Sequence, residues 1–227
     1  MESEVDGVLV AAHELKAPLA VIRQLAFALG ELKSENEQIR SEMIQVSERA
    51  IKQVNDLAKV RRLEDGLFVM EPVSVRAVCD DVFSELIHLY NGEQKNLSVK
   101  YSNRARLVTA NRDLLRSVVY NFVVNAMHYS DDGTRAELLV RDSKENVRIT
   151  VRDYGPSLPL NIWRKFKEGQ LDEPTPIAMR SGSSGLGLYI ASEFSKYMHG
   201  NLGAVRHHDG TSFFVELPVS KQASLFA

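Results

Sequence analysis

The stretch Asn121-Phe-Val-Val-Asn-Ala-Met-His-Tyr-Ser130 closes a helical pattern that begins at Arg112. Asn121, Asn125 and His128 fall at i, i+4 and i+7, so they share one face of the predicted helix, apart from its apolar face. Two amides on one face can serve a cation and a nucleotide, because Mg²⁺ prefers oxygen ligands and keeps several waters. Taken alone, an ordinary polar helix face is an equally good interpretation.

Two glycine-bearing turns follow that helix. Asp153-Tyr-Gly155 comes directly after a strand-like run, where a carboxylate can accept a hydrogen bond from the amino group of adenine; a simple Asp-x-Gly turn is the alternative. Gly185-Leu-Gly187 leads into the last helical pattern, and glycine backbone N–H groups at a helix N-terminus favour a phosphate. A short Gly-x-Gly is a weak signal alone, but it gains weight behind the two preceding motifs.

From residue 67 onwards the sequence indicates interleaved strands and helices. Helical patterns cover residues 74–90, 112–129 and 185–198, and strand-like runs cover 67–71, 97–101, 106–109, 134–141, 147–152, 202–206 and 212–217. This pattern predicts an α/β sandwich with one mixed sheet and helices on one of its faces. Residues 169–184, rich in glycine, proline, serine and charge, are predicted to form a mobile loop of the kind that serves as a lid.

Residues 2–63 carry a helical pattern with two narrow apolar seams. The seams are Val8, Ala12, Leu15, Leu19, Ile22, Ala26 and Leu29, and then Ile39, Met43, Val46, Ala50, Val54, Leu57 and Val60. Their steps of three and four are typical of coiled coils. Two antiparallel helices with such seams make a poor core, whereas two copies make a four-helix bundle. We therefore expect an antiparallel helical hairpin that forms a homodimer; an intramolecular coiled-coil arm is the alternative.

Composition argues against several classes of protein. The 227 residues carry 28 basic and 30 acidic side chains, so we expect no nucleic-acid partner, which would need a broad cationic surface. The single cysteine, Cys79, rules out an internal disulfide and fits a reducing compartment. No apolar run approaches the roughly 20 residues of a membrane span, and the acidic start does not resemble a signal peptide. We therefore expect a cytoplasmic chain without a membrane span.

The run His13-Glu-Leu-Lys-Ala-Pro-Leu19 lies on the first predicted helix. His13 is adjacent to the apolar seam rather than part of it, so its imidazole is expected to face solvent. Pro18 removes a backbone N–H that would bond the Glu14 carbonyl, so the helix is expected to kink just after the histidine. A neutral imidazole nitrogen is a good nucleophile, and Glu14 can accept the proton of the other ring nitrogen. An isolated surface histidine would ordinarily be inert.

In this order and at this spacing, the motifs resemble those of sensor histidine kinases of two-component systems. The resemblance implies an α+β protein: a dimerisation and phosphoacceptor hairpin in residues 1–66, a Bergerat-type ATP-binding sandwich in 67–220 and a tail in 221–227. It implies that His13 takes the γ-phosphoryl group of ATP, with Glu14 as the acidic base, and passes it to an aspartate of a response regulator receiver domain. The chain would then be the soluble part of a larger sensor, or its sensing would be delegated elsewhere.

The resemblance also implies a nucleotide site. Asn125 corresponds to the Mg²⁺ ligand, Asn121 and Tyr129 to nucleotide contacts, and Asp153 to the residue that recognises adenine. The further nucleotide-binding positions are His128, Gly155, Ser184, Gly185, Leu186 and Gly187.

Residues 161–166, Asn-Ile-Trp-Arg-Lys-Phe, resemble the family's F-box. Trp163 and Phe166 correspond to the aromatics that anchor the lid, which is compatible with simple packing at the base of the lid. Lys165, Lys167 or Arg180 can reach the γ-phosphate, and spacing does not choose among the three.

Several positions depart from the family pattern. Lys16 replaces an arginine, and Ala17 stands where a threonine or asparagine positions the water that dephosphorylates the regulator. His128 replaces a lysine that would contact phosphate as a fixed cation, and Ser157 and Ser183 replace glycines. These departures favour one rival hypothesis, a non-catalytic nucleotide-responsive scaffold of the same fold. A second rival is an ATPase of this fold that is not a kinase.

Overall fold

The computed structural model describes residues 21, 22, 24, 36–102, 106–130, 133–168 and 185–221. These residues fall into two compact units, and the first boundary between the units lies between Arg62 and Leu63. Most of the first predicted helix and the predicted loop at 169–184 lie outside the described residues, so the helical hairpin stays a prediction. None of the described helices combines the length and the hydropathy that a membrane span requires.

Helix α1 spans Asn36–Arg61, where the second apolar seam predicts a helix. Asp56 is buried on this helix and pairs with two lysines within one turn of it. Its Oδ2 lies 2.8 Å from Lys52 Nζ and its Oδ1 lies 3.2 Å from Lys59 Nζ. After the helix, Gly66 adopts a left-handed φ of 65°, which suits the predicted stop at this position.

The remaining described elements form an α+β arrangement with two sheets. In chain order they are β1 (Glu71–Ser74), α2 (Val75–Gly92), β2 (Asn96–Tyr101), β3 (Leu107–Ala110), α3 (Arg112–Tyr129), β4 (Arg135–Asp142), β5 (Asn146–Asp153), α4 (Leu160–Glu168), α5 (Leu186–Tyr197), β6 (Asn201–His207) and β7 (Gly210–Pro218). Five strands form a mixed sheet in the order β2-β4-β5-β7-β6, with β2 parallel to β4 and the other pairs antiparallel. Strands β1 and β3 form a separate antiparallel pair, so the prediction of one sheet is wrong in that respect.

The predicted strand at residues 67–71 is also wrong, because β1 begins only at Glu71. Residues 67–70 are all apolar and so imitate a buried strand, but Leu67 and Val69 expose 58% and 72% of their surface. Phe68, between them, packs edge-on against Tyr197, with 6.0 Å between the ring centroids.

Polar caps fix the first residues of α2 and α3. The Ser74 hydroxyl accepts a hydrogen bond from the backbone N–H of Ala77 at 3.3 Å. The Asn111 side-chain oxygen accepts from the N–H groups of Asp113 and Leu114, both at 3.1 Å. Each cap satisfies backbone donors that have no partner within the helix. Helix α3 therefore begins where the sequence predicts the asparagine-bearing helix.

One face of the five-stranded sheet packs against α3. The buried positions on this face alternate along the strands, and they include Ala136, Leu138, Val140, Val147, Ile149, Val151, Phe213, Val215 and Leu217. The apolar face of α3 meets them, and the Phe122 ring stacks on Phe213 with 6.0 Å between centroids. The opposite face is partly exposed, with Arg148 paired to Glu216 and stacked over Phe214.

Two buried hydrogen bonds hold the second half of α3. The Tyr90 hydroxyl donates to the carbonyl of Val123 at 2.7 Å, and Lys95 Nζ donates to the carbonyl of Met127 at 2.9 Å. An ammonium group is favourable there because the last carbonyls of a helix carry partial negative charge. Helix α3 is thus fixed at both ends, which sets the position of its asparagines.

Candidate nucleotide site

The asparagine face of α3 is half-buried, whereas the apolar face of the same helix is fully buried. Asn121 Nδ2 donates weakly to Ser117 Oγ at 3.5 Å, one turn earlier. Asn125 Nδ2 is buried, and no residue in the described part of the chain accepts a hydrogen bond from it. A buried amide nitrogen without a partner is costly. The Asn125 amide therefore suits a position that faces a polar ligand.

Gly187, in the first turn of α5, lies against that face. A Cβ atom on Gly187 would be 3.1 Å from Asn121 Oδ1, closer than ordinary van der Waals contact. The missing side chain thus allows the first turn of α5 to approach the asparagine. Gly185, just before the helix, has a left-handed φ of 73°, which glycine adopts without strain.

The predicted turn at Gly155 lies against the end of α3. A Cβ atom on Gly155 would overlap the Tyr129 carbonyl oxygen and lie 2.7 Å from the carbonyl carbon. Any larger residue would therefore push the turn away from the helix. The structure thus brings two turns that are distant in sequence, one at Gly155 and one at Gly187, onto the same helix.

Asp153 ends β5 and is almost fully buried, with 2% exposure. Its Oδ1 accepts hydrogen bonds from the backbone N–H groups of Gly155 at 3.2 Å and Thr211 at 3.0 Å. Burial raises the pKa of the Asp153 carboxyl, and these N–H groups and the nearby Arg152 partly oppose that rise. The carboxylate is thus held in one orientation at the end of its strand.

Thr211 is a site residue that the sequence analysis missed. Besides its N–H bond to Asp153, its hydroxyl accepts from the N–H of Leu158 at 3.1 Å. From the sequence alone, residues 209–211 indicate only a turn. A signal was present, because Thr211 is a polar residue in the series that faces the core from β7, before Phe213 and Val215.

Ser157, which stands where the family has glycine, is accommodated without a left-handed backbone. The described residues with positive φ other than glycine are Gln94 and His199. The Ser157 hydroxyl instead donates to the carbonyl of His207, which ties this loop to β6.

The two aromatics of the F-box-like segment lie on α4 and differ in burial. Phe166 is buried and packs against Phe213, with 5.4 Å between ring centroids. Trp163 is half-buried, and Lys167 Nζ lies 5.4 Å from its ring centroid. Phe166 therefore anchors the helix from which the predicted lid continues.

Some predicted site residues lie outside the described residues, namely His13, Glu14, Ala17, Arg180, Ser183 and Ser184. Of the others, the structure places Asn121 beside Gly187 and Tyr129 beside Gly155. His128 is half-buried on the same helix. Among the described residues no group of three His, Cys, Asp or Glu side chains is arranged to hold a metal ion.

Comparison with known proteins agrees with this geometry. Residues 110–221 match the family described as histidine kinase-, DNA gyrase B- and HSP90-like ATPases. The alginate biosynthesis sensor protein KinB of Pseudomonas aeruginosa is 28% identical over 223 residues, which cover 93% of this chain and 36% of KinB. The chain thus spans about a third of the length of this relative.

Two solved structures share the fold. ShkA in complex with AMPPNP superposes with a TM-score of 0.63 at 22% identity, covering 95% of this chain and 46% of ShkA. Histidine kinase ThkA, in complex with response regulator protein TrrA, gives a TM-score of 0.64 at 17% identity, covering 93% of this chain and 61% of ThkA. These findings confirm the resemblance drawn from the motifs. Residues 110–221 form an ATPase domain of the histidine kinase, DNA gyrase B and HSP90 type, and the chain is a homologue of the sensor histidine kinases.

Proposed function

We propose that this chain is an ATP-dependent protein-histidine kinase, which transfers the γ-phosphoryl group of ATP to His13 and then to an aspartate of a response regulator. The observation that carries the proposal is the contact of α3 with both glycine turns, Asn121 with Gly187 and the Tyr129 carbonyl with Gly155. These contacts line a half-buried polar helix face within a domain of an ATPase family. The histidine motif upstream distinguishes a kinase from the other ATPases of that family.

Asp153 would recognise the base. Both backbone N–H groups bind its Oδ1, so its Oδ2 can accept a hydrogen bond from the adenine amino group. Thr211 would act as a positioning residue, since it holds the carboxylate from the neighbouring strand. Gly155 would let the turn lie against α3 at the edge of the base pocket, close to Tyr129.

Asn121 and Asn125, in the middle and second half of α3, would face the phosphates. Gly185, Leu186 and Gly187, together with Ser184, would direct backbone N–H groups at the N-terminus of α5 towards them. The Asn125 side-chain oxygen would ligate Mg²⁺, which would neutralise phosphate charge. Its Nδ2, which has no acceptor among the described residues, would donate to a phosphate oxygen. His128 would add positive charge only in its protonated form.

The transfer would be an in-line displacement at phosphorus. A ring nitrogen of His13 would bond to the γ-phosphorus while the bond to the β,γ-bridging oxygen breaks, and ADP would leave. Glu14 would accept the proton of the other ring nitrogen. Phosphohistidine would then donate its phosphoryl group to the carboxylate of a regulator aspartate. ThkA, which shares this fold, forms a complex with a response regulator.

The phosphoacceptor hairpin, residues 1–66, would dimerise, with the ATP-binding domain in residues 67–220. Helix α1 supports this part of the proposal, because Ile44, Ile51 and Val54 expose 48%, 61% and 41% of their surface. Exposed apolar side chains at such spacing suit a four-helix bundle with a second copy. A cytoplasmic location within a larger sensor fits ATP-dependent signalling and the 36% coverage of KinB.

Incubation of the pure protein with Mg²⁺ and γ-labelled ATP tests the proposal. A phosphohistidine label is acid-labile and alkali-stable, and we expect such a label in the native protein and none in His13→Gln. ATP binding without labelling would overturn the kinase and favour the nucleotide-responsive scaffold. Steady release of ADP that is independent of His13 would favour a non-kinase ATPase.

A further inference from the structure

Arg152, the residue before Asp153, makes a network of contacts around the end of β5. Its side chain is 11% exposed. Its Nη1 donates to the carbonyl of Asp153 and, at 3.4 Å, to the carbonyl of Thr211. Its Nη2 donates to Asp209 Oδ1 at 2.7 Å and to the Asp209 carbonyl at 3.5 Å. One guanidinium thus joins the strand end to the tip of the β6–β7 hairpin.

Tyr154, the residue after Asp153, belongs to the same network. The guanidinium carbons of Arg152 and Arg135 lie 4.4 Å and 4.5 Å from its ring centroid. The Tyr154 hydroxyl donates to Glu137 Oε2 at 2.9 Å and accepts from Arg135 Nη2 at 3.2 Å. Both neighbours of Asp153 are therefore held by charge-assisted contacts.

Gly210 allows the hairpin tip to come this close. Its φ of 135° is one that L-residues rarely adopt. A Cβ atom there would overlap the carbonyl oxygen of Asp153 and lie 2.6 Å from Arg152 Nη1. The backbone carbonyl of Asp153 and the tip of the hairpin are thus in direct contact.

The register of β5 places Arg152 and Asp153 on opposite faces of the sheet. Arg152 pairs with Glu137 of β4 and Ser212 of β7, on the face away from α3. Asp153 pairs with Ala136, a buried residue of the face that packs against the helices. The Arg152 network therefore fixes the backbone from behind, while the carboxylate projects towards the proposed base pocket.

We propose that Arg152 is a positioning residue for base recognition, which fixes the Asp153 carboxylate so that the protein discriminates between purine nucleotides by their exocyclic amino group. This inference rests on the proposed function. Arg152 touches no atom of the nucleotide in this scheme; it acts through the backbone of Asp153 and through Tyr154 and the hairpin tip.

The test compares the affinity of the full chain for Mg-ATP and for the Mg complex of purine riboside triphosphate, which has hydrogen in place of the amino group. Arg152→Lys keeps the charge but loses the planar fork and the stack on Tyr154. We expect Mg-ATP binding to weaken about tenfold, as when one charged hydrogen bond is lost, with binding of the analogue unchanged. The preference for ATP would then largely disappear.

Arg148→Lys is the matched control, since Arg148 lies on the same strand and face, pairs with Glu216 and stacks on Phe214 at 4.2 Å. It should bind both nucleotides as the native protein does. Tyr154→Phe removes only a hydroxyl group, so it keeps the test decisive if Arg152→Lys fails to fold. We expect Tyr154→Phe to lose part of the preference for Mg-ATP over the analogue.

The outcomes separate the two proposals. If Arg152→Lys and Tyr154→Phe weaken the binding of both nucleotides equally, the role of Arg152 is purely structural and the inference is overturned. It is also overturned if both variants keep the native ratio of the two affinities. If the native protein binds neither nucleotide, the proposed function itself fails, and this inference fails with it.

Discussion

Asp153 is an ionisable group buried at a position where the proposed function requires its charged form. Burial raises the pKa of the carboxyl above its ordinary value, and the N–H groups of Gly155 and Thr211 offset only part of the rise. The folded state therefore binds the proton more tightly than the unfolded state does. The ionised carboxylate thus lowers the stability increasingly as the pH rises from its unfolded pKa through its folded pKa.

Replacing Asp153 with asparagine should separate stability from binding. The Asn oxygen keeps both backbone hydrogen bonds without a buried charge, so we expect a higher Tm at neutral pH in Asp153→Asn. The gain should shrink as the pH falls from the folded pKa towards about 4, and it should be absent below that pH, where the native carboxyl is protonated in both states. The affinity for Mg-ATP should fall at least about tenfold. If the Asn oxygen keeps the two backbone bonds, its NH2 group faces the adenine amino group, and two donors cannot form a hydrogen bond. Thermal melts across pH and ATP titration measure both effects; a lower Tm at neutral pH would contradict the argument.

Two glycine-to-alanine changes should differ because their neighbours differ. At Gly155 the new methyl group meets the rigid Tyr129 carbonyl, so we expect Gly155→Ala to cost about 2–3 kcal/mol in the free energy of unfolding. At Gly187 it meets the flexible Asn121 side chain, so stability should stay within about 1 kcal/mol of native.

Mg-ATP affinity should nevertheless fall in Gly187→Ala, because Asn121 must move. Urea unfolding and nucleotide titration on both variants provide the comparison. Equal destabilisation by the two changes would show that the contacts at Gly155 and Gly187 are not as described.

Among single residues, motifs could identify Asn121, Asp153 and Gly155 as site candidates, because their chemistry is visible in short stretches of sequence. Thr211 and Arg152 could not be identified in the same way. Thr211 lies 58 residues from Asp153, and their contact depends on the register of β5 and β7. Arg152 belongs to an alternating strand pattern, in which an arginine ordinarily indicates only a solvent-facing position.

Helix α3 is the element on which the site depends, and its neighbour α2 helps to hold it. The Tyr90 hydroxyl on α2 is buried and donates to the Val123 carbonyl at 2.7 Å. Burial also raises the pKa of this hydroxyl, which favours the protonated, donating form.

Tyr90→Phe should therefore cost about 1 kcal/mol in the free energy of unfolding, because the hydrogen bond is lost in a dry environment. Tyr197→Phe is the matched control: its hydroxyl bonds the Phe68 carbonyl at 3.1 Å in a partly exposed place, where water can replace it. We expect Tyr197→Phe to lose less of the free energy of unfolding than Tyr90→Phe does. Denaturant unfolding followed by circular dichroism gives both values, and an equal or larger loss in Tyr197→Phe would argue against the buried contact.

Periodicity predicted most described elements to within one or two residues, and it matched Arg112–Tyr129 at both ends. It failed before β1 because residues 67–70 form an apolar run typical of a strand, although Leu67 and Val69 are exposed. It predicted no helix at Leu160–Glu168, since only Ile162 and Phe166 are buried there, too few for a helical period. It also did not show that β1 and β3 would pair apart from the main sheet, because pairing between strands is decided by tertiary contacts.

The whole molecule is expected to be a dimer. Ile51 on α1 is 61% exposed, and Ile44 lies two turns earlier on the same face. Ile51→Glu would place a charge in the proposed bundle and should shift the protein towards monomer, whereas Gln45→Glu, at an exposed position outside this stripe, should not. Light scattering after size exclusion gives the mass of each species. A native protein that is monomeric at micromolar concentration would rule out the bundle.

The central claim is that the nucleotide site on α3 supplies a phosphoryl group to His13. The most direct measurement is fragmentation mass spectrometry, at alkaline pH, of the protein after incubation with Mg²⁺ and ATP. The account predicts a phosphoryl group on the peptide that contains His13, located on the histidine, and much less of it in Asp153→Asn when ATP is kept near the native Kd. A phosphoryl group on another residue, or an unmodified His13 in protein that binds ATP, would contradict the account.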